Sequence, residues 1–93
     1  MDVKDAVKTA LQYTQDLFSS TGATIQNLGL EEVEYDGDAR MWRVTVGFHR
    51  KWDTPTGALL DAIRGAPPFG PRTYKVVRID DQTGVPVSLL NRE

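Results

Sequence analysis

From Ala39 to Trp52 the chain alternates. Trp42, Val44, Val46 and Phe48 occupy every second position, and Arg43, Thr45 and His49 fall between them. Side chains two apart in a strand share a face, and β-branched and aromatic residues suit a pleated, half-buried surface. The pattern predicts a central antiparallel strand over 39–52 with its even positions turned to a core. Upstream, Val3, Ala6, Val7, Ala10, Leu11, Thr14, Leu17 and Phe18 step by three and four. That spacing is one stripe of a helix over 2–21, with Asp2 as its N-cap and Gly22 as the left-handed residue that ends it. The even set of the central strand is expected to meet Val7, Leu11 and Phe18.

A second strand is expected over 25–36, where the parity breaks. Leu28 and Leu30 share one face, and Val33 and Tyr35 share the other. One extra residue near Leu30–Glu31, a β-bulge, brings them back together. Asp36-Gly37-Asp38 is turn chemistry that joins this strand to the central one as a hairpin. Tyr74 and Val76 oppose Val77 and Ile79 in a strand over 72–80, and Val85, Val87 and Leu89 alternate in another over 85–90. Asp80 to Gly84 is the loop between them, with Gly84 suited to a left-handed position. Pro86 removes a ladder donor, which makes the last strand an edge.

Between these halves lies 53–71, with Pro55, Pro67, Pro68 and Pro71 and three glycines. A short helix over 56–64 fits inside it, ended by Gly65. A connection of this length is either a functional loop or a plain crossover capping the sheet. The predicted fold is therefore α+β. It is one domain, with a long N-terminal helix on a four-stranded, mainly antiparallel sheet and a Pro/Gly-rich insert between strands two and three. Ninety-three residues, 40% of them hydrophobic, suffice for one such core.

Charge adds an asymmetry. Glu31, Glu32, Glu34, Asp36 and Asp38 form an acidic block, and Arg40, Arg43, Arg50 and Lys51 follow as a basic one. Cross-strand pairing accounts for this, and so does a basic patch for an acidic partner. The net charge of −2 disfavours nucleic acid. No apolar run reaches membrane-spanning length. The absence of cysteine, and the charged opening MetAspValLysAspAlaVal, predict a cytoplasmic chain.

The closing residues TyrLysValValArgIleAspAspGlnThrGlyValProVal resemble the last hairpin of PepSY-type domains: a strand ending in Asp80, a Thr83-Gly84 turn, and the short valine strand Val85-Val87. Trp42-x-Val44-x-Val46 is similar to that family's middle strand. The resemblance implies a helix packed on an antiparallel sheet in the wider cystatin-like manner, and a binding or inhibitory module. True cystatins carry a Gln-x-Val-x-Gly loop. Here only Gly47 of Arg43–Gly47 matches, mid-strand, so protease inhibition is not implied.

Catalytic signals are sparse. His49 is the single histidine, no serine stands near it at motif spacing, and no phosphate-binding glycine run occurs. No metal or cofactor is implied. The sequence favours a non-catalytic protein- or peptide-binding module over a small enzyme or small-molecule-binding protein with a pocket between helix and sheet. In that alternative, His49 or Tyr74 stands at the pocket mouth. Aromatic and basic residues anchor interfaces, so the candidate binding residues are Trp52, Arg50, Lys51, His49 and Arg72. The edge strand near 85–89 offers strand addition to a peptide, or edge pairing with a second copy as a homodimer.

Overall fold

The computed structural model describes residues 1–51 and 69–92, with backbone alone at Lys51, Phe69, Gly70 and Pro71. The short helix expected over 56–64, and the candidate Trp52, lie outside the described residues. The described residues form one helix, α1 (Val3–Ser20), and four strands: β1 (Ile25–Asp36), β2 (Met41–Lys51), β3 (Phe69–Asp80) and β4 (Pro86–Asn91). The strands make one antiparallel sheet in sequence order, and α1 covers one of its faces.

Both ends of α1 are closed as the sequence predicts. The Asp2 carboxylate accepts the Asp5 N–H at 2.8 Å. At the other end Gly22, at φ +79°, lets the Ala23 and Gly22 N–H groups return to the carbonyls of Phe18 and Ser19. The helix presses on the sheet through its smallest residues. Ala6, Ala10 and Thr14 are fully buried, against Val44, Val46, Val77 and Ile79. Thr14 satisfies its buried hydroxyl on the Ala10 carbonyl at 2.8 Å. Val7 and Leu11, expected at the centre of the contact, are only partly buried, because a line of small side chains lets the backbone lie closer. The larger ones are displaced to the flank beside β1. Phe18 does reach the sheet, edge-on to Phe48 at 4.9 Å between ring centroids.

Register confirms the bulge between Leu30 and Glu32 and adds a second irregularity between Gln26 and Gly29, where Asn27 takes φ +57°. The hairpin turn differs in detail from the expectation. The Asp36 side chain accepts the N–H groups of Asp38 and Ala39, and the left-handed residue is Arg40 at φ +53°, not Gly37. β2 accordingly begins at Met41 rather than Ala39. β3 begins three residues earlier than expected, at Phe69. It runs through Pro71 because its register against β2 slips there, with Gly70 and Pro71 facing Arg50 alone, and a bulge tolerates a missing donor. In the last hairpin Asp80 accepts the Gln82 and Thr83 N–H groups, and Gly84 sits at φ +68° as expected. β4 is an edge, starting at Pro86.

Candidate functional site

With α1 on one side, the even positions of β2 are covered. The odd positions face the other way, where nothing among the described residues packs as a second layer. This bare face is a shallow trough of about 740 Å³ whose lining includes Glu32, Glu34, Arg43, Thr45, Arg78 and Leu90. Its charges are largely matched across strands. Glu34 pairs with Arg43, its register partner. Arg72 holds Glu31 at 2.7 Å, and Arg92 lies 3.5 Å from Glu32. The acidic block of β1 thus meets bases from β2, β3 and the segment after β4. Cross-strand pairing accounts for these residues without a separate basic patch.

Alternation divides the candidate binding residues. His49 and Arg72 are register partners on the bare face. His49 sits with its Nδ1 3.2 Å from the Asn27 side-chain nitrogen. Arg72 is a staple. Its guanidinium donates to Glu31, to the Asn27 carbonyl at 3.1 Å and to the Gly47 carbonyl at 3.1 Å, tying both irregular stretches of β1 to β2. Arg50 goes to the opposite, helix side, over the Phe18 ring at 5.4 Å. The Lys51 backbone pairs with Phe69. His49 and Arg72 therefore share one face, and Arg50 lies on the other. His49 and Tyr74 do not stand at a mouth between helix and sheet either, since odd parity on β2 and register with Gly47 place both on the bare face. There Arg92 lies 5.9 Å from the Tyr74 ring.

At the turn end, Asp81 organises the aromatics. It accepts the Trp42 indole N–H at 2.9 Å and the Tyr35 hydroxyl at 3.3 Å. The Tyr35 and Trp42 rings lie 4.9 Å apart. Desolvation of the phenol, and then the neighbouring Asp81 carboxylate, push the Tyr35 pKa above its ordinary value.

The two edges of the sheet differ. β1 is interrupted twice, holds Asn27 in a left-handed conformation and carries three glutamates. These are the features by which native edges resist pairing with another chain. β4, Pro-Val-Ser-Leu-Leu-Asn, carries no charge at all, and its single bulge, at Val87, falls at its start, which leaves Ser88 to Asn91 regular. Its Val87 and Leu90 are 50% and 52% exposed, and no described strand pairs with its outer side. Beside it on the bare face lie Arg78 and Ser88, register partners that sequence reasoning passed over. The parity shared by Arg78 with Tyr74 and Val76 was the available signal. A separate apolar groove of about 460 Å³ runs between α1 and β1, lined by Val3, Val7, Leu11, Leu30, Val33 and the stems of Lys4 and Lys8. Among the described residues no helix is long and apolar enough to cross a membrane. No family model, characterised protein or solved structure matches this chain.

Proposed function

We propose that this chain is a non-catalytic protein- or peptide-binding module that captures an extended segment by strand addition at β4. The observation that carries this reading is the contrast between its edges. One is interrupted twice and acidic, and the other, with a single bulge at Val87 beside Pro86, is uncharged, apolar and unpaired among the described strands. An open edge supplies main-chain hydrogen bonds to any extended peptide, and alternate side chains then select among them. The PepSY-like resemblance of the last hairpin adds a regulatory or inhibitory role, in which the captured segment belongs to the controlled protein.

The test is selection of displayed ten-residue peptides on the ¹⁵N-labelled domain, followed by mapping of amide shifts. Bound peptides should perturb Val85 to Asn91 and leave β1 unmoved, and Val87→Lys, which places a charge on the edge, should abolish binding. Shifts confined to other elements would refute the site. The alternative reading, an apolar small-molecule site, has the groove between α1 and β1 in its favour. Competition by an aliphatic ligand, with shifts at Val7, Leu11 and Leu30 instead, would support it.

A further inference from the structure

We infer that the segment captured at β4 is acidic on its bare-face side, with a carboxylate seated against Arg78 and Ser88; this rests on strand addition at β4. Arg43, Arg72 and Arg92 each have an acidic partner. The Arg78 guanidinium has none, and among the described residues it makes no hydrogen bond or ring contact. Its register partner is Ser88, the smallest side chain of β4, whose buried hydroxyl oxygen also lacks a hydrogen-bond partner. Two donors without acceptors therefore adjoin on one face of the edge strand.

A strand added outside β4 places alternate side chains on that same face, one strand spacing beyond Ser88 and two beyond Arg78. Neighbouring strands are about 4.8 Å apart. The gap to Arg78 of roughly 10 Å is bridged when a long guanidinium side chain reaches outward over serine and a glutamate reaches inward. A carboxylate is the acceptor that suits both, since it takes a charge-assisted bond from the arginine and a second from the hydroxyl. The uncharged sequence of β4 offers no competing acid. Within this face Arg43 is matched by Glu34 and Arg92 by Glu32, so Arg78 is the arginine left to meet an incoming acid. The occupant is an extended segment of another protein, with glutamate or aspartate at alternate positions and apolar residues between them.

The experiment uses three synthetic fluorescent heptapeptides alternating valine with glutamate, glutamine or lysine, titrated against the full chain by fluorescence anisotropy. The glutamate peptide should bind about tenfold more tightly than the glutamine peptide, the worth of one charge-assisted bond, and the lysine peptide more weakly still. In Arg78→Gln the glutamate and glutamine peptides should bind alike, while thermal melting shifts little, because Arg78 has no hydrogen bond or ion pair among the described residues and glutamine keeps part of its partly buried stem. Ser88→Ala should narrow the same difference. Equal binding of all three peptides, with amide shifts at β4, would overturn the acidic preference and leave strand addition standing. Binding of none would overturn both. A glutamate preference that survives Arg78→Gln would place the carboxylate elsewhere and refute the assignment.

Discussion

Gly47 is the position at which one methyl group should reveal the Arg72 staple. The residue sits mid-strand with no left-handed φ, so alanine is acceptable to the backbone there. The obstacle is what lies above it. A Cβ at Gly47 would meet the Arg72 Nε and the Glu31 Oε1 at 2.7 Å each, and the Arg72 Nη2 at 3.0 Å. These are the ends of flexible side chains, so they move aside, but they cannot do so and keep their bonds. The exposed ion pair contributes about 0.5 kcal/mol. The two bonds to the carbonyls of Asn27 and Gly47, partly solvated, contribute about 1 kcal/mol together. Against that loss of about 1.5 kcal/mol, alanine recovers about 0.5 kcal/mol over glycine in a strand. Gly47→Ala should therefore destabilise by about 1 kcal/mol, a fall in Tm of about 4–8 °C for a domain of this size. In an Arg72→Ala background Glu31 has lost its ion-pair partner and its carboxylate swings clear of the methyl, so the same substitution should stabilise by about 0.5 kcal/mol. The cycle, read by urea denaturation followed through tryptophan fluorescence, should return a coupling of about 1.5 kcal/mol. Additive effects, or an equal loss in both backgrounds, would show that the staple does not hold β1 to β2.

Three further outcomes follow from the packing. Asp81→Ala strips the acceptor from the part-buried Trp42 indole and should cost about 1–2 kcal/mol in urea denaturation, whereas Asp81→Asn, which keeps an acceptor, should cost less. Ala10→Leu forces bulk between α1 and the sheet where Ala10 has no exposure, and should destabilise by about 1–3 kcal/mol; Leu17→Ala, on the exposed flank of the same helix, should stay within about 0.5 kcal/mol. Tyr35 has a raised folded-state pKa, so its contribution is fully present below its ordinary value of 10.0 and is lost as pH rises through the higher folded value. Melting curves should fall on that alkaline limb, and Tyr35→Phe should flatten it.

The covered side of the sheet was readable from parity alone. Trp42, Val44, Val46 and Phe48 announced their face, and the mismatch between Leu28–Leu30 and Val33–Tyr35 required the bulge found between Leu30 and Glu32. The irregularity at Asn27 left no such trace, because Gln26 and Asn27 are polar on either face. Arg40 in the left-handed region was hidden by the adjacent Asp36-Gly37, a better-known turn signal that the Asp36 side chain uses differently. The candidate residues divide between the two faces for a related reason. Basic residues adjacent in sequence were grouped, yet neighbours in a strand diverge, and Arg50 points away from His49. Arg72 looked available until its three acceptors were visible. Arg78 and Ser88 are brought together by register, which no local pattern encodes.

The inequality of the two sheet margins bears on stoichiometry. A sheet with two receptive margins can propagate, each added chain presenting a fresh site for the next, and the product is a fibre. Under the strand addition proposed at β4, the interrupted, acidic β1 is closed to a second chain, so capture at one margin would end the process and the complex would saturate at one guest per host.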